Sequence, residues 1–278
     1  MSAPPEAGSP PLMLINGMLG TQVDAHDRGL QYGDGLFETL RWEGGRLCWF
    51  ERHMARLMRG CERLGIALPD ATQLRAEATS LARHLPRALV KIIVTRGTAT
   101  VRGYRPAGNE VPTRIVSVHE WPAAQPAEFR VGLSPVRING NPLLAGIKHL
   151  NRLEQVLAQR AAGEAGLHEV LMCSERGTIA CGSMSNLFVW QRDELLTPPA
   201  IECAVAGVMR ALLLEAAARL GLRVREQSLS AHEVDAAPAM LLTNVRLGLQ
   251  PVHWYEGRAL AVDERGARLM EWINGAVE

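Results

Sequence analysis

Short turns that join apolar strand patterns are the feature of this sequence that most constrains its fold. Asn16-Gly17 follows the apolar run 12–15, and Gly44-Gly45 follows the run 36–42. Such turns connect neighbouring antiparallel strands, whereas parallel strands need a long crossover. Helical patterns nevertheless alternate with strands in both halves of the chain. We therefore predict an α+β fold with mixed sheets rather than one doubly wound sheet.

A break in the pattern divides the chain. Segment 119–128 contains two prolines and three alanines and has no apolar periodicity. This predicts an N-terminal domain over 12–120, a linker over 121–128 and a C-terminal domain over 129–278. Residues 1–11 are rich in Pro, Ala, Gly and Ser, which predicts a flexible leader and not a signal peptide.

The spacing of apolar residues predicts an amphipathic helix in each half of the chain. Apolar residues recur at the three-four spacing of a buried face over 51–64. Apolar spacing also predicts a helix over 149–162, with Leu150, Leu153 and Leu157 on one face.

The charge balance argues for a small-molecule enzyme. The chain has 30 basic and 29 acidic residues, a net charge of +1. It therefore gives no electrostatic reason to expect nucleic acid or an anionic membrane as partner. No apolar run is long enough to span a bilayer, and a cytoplasmic location is expected. The five cysteines and eight histidines show no metal-ligand spacing, so no metal site is predicted.

Lys148 is the residue with the most distinctive surroundings. It follows the apolar residues Leu143, Leu144 and Ile147 and precedes the predicted helix start. A helix N-terminus disfavours a cation, and apolar neighbours desolvate it, so both favour the neutral amine. The neutral amine is the nucleophile of Schiff-base chemistry. From these residues alone, a solvated lysine at an element boundary is the commoner case, and that alternative stays open here.

Several ordered segments together resemble the class IV aminotransferase family. They are 27–39, 53–57, the surroundings of Lys148, and 185–188 with 206–210. The resemblance implies a fold type IV pyridoxal-phosphate enzyme, with a smaller N-terminal α/β domain and a larger C-terminal pseudo-barrel domain. Segment 27–39 resembles the N-terminal active-site strand of that family. The resemblance also implies a homodimer.

The resemblance assigns roles to individual residues. Lys148 lies where the family attaches pyridoxal 5'-phosphate covalently. The other implied cofactor-binding residues are Arg56, Arg152, Cys181, Asn186, Gly207, Val208, Met209, Asn244 and Val245. The implied substrate-binding residues are Tyr32, Phe37, Arg102 and Tyr104. Thr39 is a second catalytic candidate, as a proton donor to the leaving group.

Two stretches are similar to aminodeoxychorismate lyases in particular. They are 102–104 and the stretch from 134–137 through 141–155. The implied reaction converts 4-amino-4-deoxychorismate to 4-aminobenzoate and pyruvate, a step toward folate. A branched-chain or D-amino-acid transaminase of the same fold is an alternative. A catalytically degenerate member that still binds the cofactor is another.

Three positions depart from the family pattern. Cys181 stands where the family has a glutamate that pairs with the pyridine nitrogen of the cofactor. A neutral thiol cannot hold that nitrogen protonated as a carboxylate does, which weakens the cofactor as an electron sink. We expect this weaker electron sink to slow transamination more than an elimination that is assisted by aromatisation. Met209 replaces a frequent threonine, and Arg152 lies roughly where transaminases have a tyrosine.

Overall fold

The computed structural model describes residues 12–122, 126–202 and 205–275. The chain divides into two compact units, Met1–Pro122 and Ala123–Glu278. The predicted leader 1–11 lies outside the described residues, and the predicted domain bounds remain predictions. Among the described helices, none is long and apolar enough to cross a membrane.

The first unit is built around one antiparallel sheet. Its six strands lie in the order β2-β1-β6-β5-β3-β4. The elements in chain order are β1 (Met13–Ile15), β2 (Met18–Leu19), α1 (Arg28–Tyr32), β3 (Gly35–Glu43), β4 (Arg46–Leu47), α2 (Phe50–Leu64), α3 (Ala71–Ala82), β5 (Arg87–Thr95) and β6 (Arg114–Glu120).

The predicted Asn-Gly hairpin is confirmed. Asn16 and Gly17 both have positive φ, 51° and 84°, and connect β1 to β2. Two successive left-handed residues give the turn whose twist matches that of paired strands, and Asn and Gly adopt this conformation most readily. Gly44 and Gly45, with φ of 59° and 78°, make the same kind of connection between β3 and β4.

Alternation along β3 divides its side chains between two faces. Leu36, Leu40 and Trp42 are buried, and helices α2 and α3 cover this face of the sheet. Gly60 of α2 allows the close approach, because a Cβ there would lie 2.8 Å from the Leu36 side chain. The residues between them, including Phe37, point to the opposite face.

The second unit contains two mixed sheets. Their strand orders are β12-β11-β10-β14-β15 and β13-β9-β8-β7-β16-β17. The elements are β7 (Arg130–Leu133), α4 (Leu153–Glu164), β8 (Glu169–Cys173), β9 (Thr178–Gly182), β10 (Asn186–Gln191), β11 (Glu194–Thr197), α5 (Val208–Arg219), β12 (Arg223–Glu226), β13 (Leu229–Ser230), α6 (Ala231–Asp235), β14 (Ala239–Asn244), β15 (Gly248–Pro251), β16 (Trp254–Tyr255), β17 (Arg258–Ala259) and α7 (Glu264–Gly275).

The main core of this unit lies between its two sheets. Val131 and Leu171 of one sheet pack in the same cluster as Leu187 and Leu242 of the other. Burial of large aliphatic side chains between sheets is the principal source of stability in such layered folds. A smaller apolar cluster lies beneath α4.

The structure corrects the prediction for the helix after Lys148. Helix α4 begins at Leu153 and not at residue 149. Its contact with the sheet is made by the small residues Ala158 and Ala162. Leu153 is 71% exposed and Leu157 36% exposed, so these leucines lie at the surface and do not pack against the sheet.

A second correction concerns segment 27–39. Residues Arg28–Tyr32 form the short helix α1, and the strand begins only at Gly35. The Asp27 side chain accepts a hydrogen bond from the Gly29 amide and thereby starts the helix, while Gly33, with φ of 65°, ends it. The resemblance to a continuous active-site strand therefore holds only for its second half.

Candidate active site

A backbone contact joins the segment that carries Lys148 to the start of helix α5. Gly146 forms an isolated parallel bridge with Val205, and the Ala206 amide donates to the Gly146 carbonyl at 3.1 Å. Gly207 follows at once as the N-cap of α5. Two segments that are distant in sequence are thus held side by side, with Lys148 two residues after the contact.

The N-terminus of α5 has the form of an anion site. No side chain caps it at Gly207, so the first backbone amides point outward with the helix dipole behind them. The Asn186 amide nitrogen donates to the Val205 carbonyl at 2.9 Å. A Cβ on residue 207 would lie 2.1 Å from the Asn186 Oδ1 atom, so glycine is required there. Val208 and Met209 supply the first amides of the helix.

The Arg152 side chain folds back onto the Lys148 segment. Its guanidinium donates to the carbonyls of His149 at 2.9 Å and Ile147 at 3.3 Å, the two residues that flank Lys148. Burial, assisted by the charge of Arg152, lowers the pKa of His149 to about 4. His149 is therefore neutral near pH 7. Arg152 therefore stabilises the loop on either side of Lys148.

A buried carboxylate fixes the turn between β9 and β10. Glu169 is fully buried and accepts hydrogen bonds from the amides of Ser183 and Met184 and from the Ser185 hydroxyl, at 3.1, 3.2 and 2.9 Å. Asn244 donates to the Met184 carbonyl at 3.0 Å on the other side of the turn. This network sets where β10 begins and so where Asn186 lies.

Cys181 lies in a different environment. It is buried on β9 opposite Met172 of β8 and belongs to the small apolar cluster under α4. Val245, which follows Asn244, is buried at the end of β14. The structure thus joins Gly146, two residues before Lys148, and Asn186 to the segment that precedes α5, whereas Cys181 is packed among apolar side chains.

In the first unit, Arg56 is bound by a buried carboxylate. Its Nε and Nη2 atoms donate to the two oxygens of Glu38 at 2.7 and 2.5 Å. The His53 Nδ1 atom lies 2.7 Å from Glu38 Oε2. Burial would raise the pKa of Glu38, but Arg56 and His53 outweigh it and lower the pKa to about 2. Arg56 is therefore a fixed, buried cation and not a solvated helix residue.

A buried arginine organises the loop that carries Arg102 and Tyr104. Arg28 donates to the carbonyls of Gly103 at 3.0 Å and Tyr104 at 2.7 Å, and to Asp34 at 2.9 Å. The Tyr32 and Tyr104 rings meet edge to face with centroids 5.4 Å apart. Two predicted substrate residues are thereby in contact, although Tyr104 remains 85% exposed.

Sequence reasoning missed Arg28, Glu38 and Glu169. For Glu38 a signal was present, because a charge at an inward position of an alternating strand requires a buried partner. Phe37 and Thr39, on either side of Glu38, point to the other face of the sheet. No local signal identified Arg28, since its acceptors lie in a loop far along the chain.

Comparison with known proteins identifies the family. The model of the amino-transferase class IV family matches residues 35–255. The chain belongs to the class IV aminotransferase family. An aminodeoxychorismate lyase of Vibrio harveyi is 33% identical over 243 residues, which cover 86% of this chain and 89% of the relative.

Solved structures of class IV aminotransferase members have the same fold. A 4-amino-4-deoxychorismate lyase from Pseudomonas aeruginosa superposes with a TM-score of 0.88 at 38% identity, covering 95% of this chain and 99% of that one. A hypothetical aminotransferase from Mycobacterium tuberculosis in a PLP-bound form, 22% identical, superposes with a TM-score of 0.82 over 96% of this chain and 98% of that one. These matches confirm the predicted α+β class and fold type IV architecture.

The residues of the second unit fit the cofactor that the resemblance implies. A phosphate group needs backbone amides that no side chain caps, and the N-terminus of α5 at Gly207 supplies them. An aldehyde needs a primary amine nearby, and the Gly146 contact brings the Lys148 segment to the same helix start. The thiol of Cys181, in contrast, offers no charge to a ring nitrogen.

We predict that Glu38→Gln destabilises the protein by about 3–5 kcal/mol, because it leaves Arg56 buried without its counter-charge. Urea unfolding would measure the loss. Glu51→Gln is the matched control, since Glu51 pairs with Arg75 on the surface and should matter by at most about 1 kcal/mol. Equal losses in the two variants would contradict a buried ion pair.

The same pair predicts a pH dependence. The folded-state pKa of Glu38, about 2, lies below its ordinary value of 4.5, so the unfolded state binds more protons between these values. The stabilisation is therefore fully present above about pH 4.5 and is lost as the pH falls toward 2. Stability of Glu38→Gln should accordingly depend less on pH in this window than stability of the unmodified chain.

Proposed function

We propose that this chain is a pyridoxal-phosphate-dependent lyase that converts 4-amino-4-deoxychorismate to 4-aminobenzoate and pyruvate, a step toward folate in the cytoplasm. The observation that carries the proposal is the backbone contact between Gly146 and Ala206, which holds the Lys148 segment at an uncapped helix start. The similarity to aminodeoxychorismate lyases over most of the chain supports the choice of substrate.

The proposed cofactor-binding residues fall into three groups. Lys148 holds the cofactor covalently, and Arg152 fixes the loop on either side of it. Gly207, Val208 and Met209 bind the phosphate through backbone amides, with Arg56 as a further cation. Residues that line the cofactor are Cys181, Asn186, Asn244 and Val245.

The proposed substrate-binding residues belong to the first unit. Tyr32 and Tyr104 are in ring contact, and Arg102 lies on the same loop. Phe37 and Thr39 share one face of the sheet. Arg102 supplies a cation for one of the two substrate carboxylates, which an almost neutral chain must provide locally.

The chemistry divides between cofactor and chain. When bound, pyridoxal phosphate supplies an electron-accepting ring that stabilises negative charge next to the substrate nitrogen. The amine of Lys148 removes the proton from the ring carbon that bears this nitrogen. The enolpyruvyl group then leaves with the electron pair of its C–O bond, and the six-membered ring becomes aromatic. The Thr39 hydroxyl or the Lys148 ammonium protonates the leaving group, which yields pyruvate.

Incubation of the purified protein with chorismate, glutamine and a chorismate-aminating enzyme tests the proposal. Formation of 4-aminobenzoate and pyruvate in equal amounts is expected. Amino-group transfer from a branched-chain or D-amino acid without 4-aminobenzoate would favour the transaminase alternative. Cofactor absorbance without either reaction would favour a degenerate member.

We predict that Lys148→Met abolishes 4-aminobenzoate formation, because it removes both the attachment point and the base. Activity should fall by at least about 10³-fold, since a positioned base alone contributes roughly 10²–10⁴-fold. Borohydride reduction followed by peptide mapping should place the phosphopyridoxyl group on Lys148. Lys91→Met is the control and should retain the cofactor absorbance; labelling at Lys91 would overturn the assignment.

Cys181 sets the preference between elimination and transamination in this proposal. A carboxylate–pyridinium pair is worth about 4 kcal/mol in raw Coulomb energy at an effective dielectric of 20, and a neutral thiol provides almost none of it. Transamination is slowed most, because it requires the negative charge to persist until a proton is delivered. Elimination from 4-amino-4-deoxychorismate is assisted by aromatisation, which no amino-acid substrate offers.

We predict that Cys181→Glu raises half-transamination of alanine more than it raises 4-aminobenzoate formation. The new carboxylate is inserted among apolar side chains, so it should lower the thermal unfolding midpoint of the cofactor-free protein. Addition of the cofactor should restore much of the lost thermal stability, because its ring nitrogen would pair with the new carboxylate. Cys173→Glu, on the neighbouring strand β8, should be destabilised with and without cofactor alike. Equal gains in both reactions would show that Cys181 does not set the preference.

We also propose a homodimer. Leu153, Val156 and Leu157 of α4 are exposed, at 71%, 60% and 36%. Three neighbouring aliphatic side chains on one helix are unusual on a solvated surface and typical of a subunit contact. The exposed ring of Tyr104 is consistent with a loop that is lent to a second copy.

We predict that the chain sediments as a dimer of its 30.4 kDa subunit. The double change Leu153→Asp with Val156→Asp should shift it toward monomer, because each subunit would bury two new charges. Val262→Asp, at an exposed aliphatic residue outside α4, is the control and should leave the dimer intact. An active monomer of the unmodified chain would refute the proposal.

A further inference from the structure

Arg28 of α1 is a buried cation that binds the backbone of a loop far along the chain. Its side chain is 3% exposed, and its Nη1 and Nη2 atoms donate to the carbonyls of Gly103 and Tyr104. Two charge-assisted hydrogen bonds to successive carbonyls fix the direction of a chain more firmly than one contact does. Because Gly103 follows Arg102 directly, these bonds determine the path of the chain as it leaves Arg102.

The loop bends at this contact. Successive carbonyls of an extended chain point in opposite directions, whereas those of Gly103 and Tyr104 both accept from Arg28. Gly103 has a φ of 117°, a conformation that glycine adopts far more readily than other residues. The Tyr32 ring, whose centroid lies 4.9 Å from the Arg28 guanidinium carbon, also contacts the Tyr104 ring. The bend therefore depends on a glycine and on the guanidinium that binds it.

The start of α1 holds Arg28 in a fixed place. The Arg28 amide donates to the Gly97 carbonyl at 2.9 Å, and the side chain of the preceding Asp27 accepts from the Thr95 hydroxyl at 2.9 Å. Gly29 packs directly on Thr95, because a Cβ on Gly29 would lie 2.2 Å from the Thr95 Cγ2 atom. The start of α1 is thus joined to the end of β5, and the Arg28 side chain extends from a firmly held backbone.

A second arginine shares a carboxylate with Arg28 but fixes a different part of the unit. The Nε atoms of Arg28 and Arg96 donate to the same Asp34 oxygen, at 2.9 and 2.7 Å. Arg96 also donates to the carbonyls of Leu64 and Gly65 at the end of α2, at 2.7 and 2.6 Å. Within the described residues, only Arg28 of these two arginines binds the bend after Arg102.

We propose that Arg28 is a positioning residue, which holds Arg102 where it binds a carboxylate of the substrate. Arg102 is exposed and forms no ion pair with the described residues, so the bend that follows it sets the direction of its side chain. The inference rests on the proposed function, which supplies a substrate with two carboxylates. Arg28 acts through Arg102 and does not itself contact the substrate.

A double-mutant cycle on the holoenzyme tests the inference. Arg28→Lys keeps a charge beside Asp34 but loses the planar fork that binds two carbonyls at once. It should raise KM for 4-amino-4-deoxychorismate about tenfold and change kcat less, because a displaced Arg102 loses most of a charge-assisted hydrogen bond to the substrate. In the Arg102→Met background, Arg28→Lys should alter KM by less than about twofold, since the residue through which Arg28 acts is gone.

Arg96→Met is the matched control for this cycle. It breaks the other contact to Asp34 and leaves the bend bound, so it should leave KM unchanged with or without Arg102. An effect of Arg28→Lys on KM that persists undiminished in the Arg102→Met background would show a general structural role and overturn the inference. Thermal unfolding and cofactor absorbance confirm that each variant is folded and loaded.

Limited proteolysis provides a readout that needs neither turnover nor substrate. Trypsin cleaves after arginine, and the bond between Arg102 and Gly103 lies in the loop that Arg28 binds. Arg28→Lys should speed cleavage at this bond about tenfold, because the loop opens more often when a charge-assisted hydrogen bond to it is lost. Arg96→Met should leave the rate unchanged, and an unchanged rate in Arg28→Lys would overturn the inference.

Binding of chorismate separates the inference from the proposed function. Chorismate has both carboxylates but a hydroxyl in place of the amine, so it binds without being converted. If no 4-aminobenzoate is formed but Arg28→Lys weakens chorismate binding about tenfold and Arg96→Met does not, the function is wrong and the positioning role stands. If 4-aminobenzoate is formed and Arg28→Lys behaves as Arg96→Met, the positioning role is wrong and the function stands. Absence of 4-aminobenzoate together with absent chorismate binding, or binding that Arg28→Lys leaves unchanged, would overturn both.

Discussion

The hydrogen bond from the Ala206 amide to the Gly146 carbonyl is the contact on which the candidate site depends. It joins two segments of the second unit through backbone atoms. Gly146 has a φ of 80°, a left-handed conformation that favours glycine. Position 207 also requires glycine, because any Cβ there would collide with Asn186. A reactive amine and an anion-binding helix start are thereby brought together by a few main-chain atoms.

Two buried carboxylates, one in each unit, are bound by different physical means. Glu38 is neutralised by a full positive charge on Arg56, and breaking that pair leaves an uncompensated ion in the core. Glu169 is bound by amides and hydroxyls of one turn, so its charge is shared among neutral donors. The first arrangement stabilises the interior of its unit, whereas the second fixes the path of a short turn before β10. Neither could be replaced by an apolar residue without leaving several donors buried and unbound.

The features that were predicted correctly depend on the local conformational preferences of a few residues. The Asn16-Gly17 hairpin and the start of α5 at Gly207 each depend on the conformational preferences of one or two residues. The late start of α4 could not be predicted, because it accompanies hydrogen bonds from the Arg152 side chain to the carbonyls of Ile147 and His149, and residue spacing does not reveal such bonds. The exposure of Leu153 could not be predicted either, since a leucine at helical spacing packs equally well into a core or onto another subunit.

The late start of α4 also changes the physical reason for the reactivity expected of Lys148. A helix end carries about half a positive charge and acts only within its first turn, and that turn now begins beyond Lys148. The Arg152 guanidinium instead donates to the carbonyls on either side of Lys148 and brings a full charge into the same short segment. His149 adds no second charge, since its pKa of about 4 keeps it neutral near pH 7. The helix end therefore gives no support to the neutral amine predicted for Lys148, and a side chain of the loop itself fixes the backbone on either side of that residue.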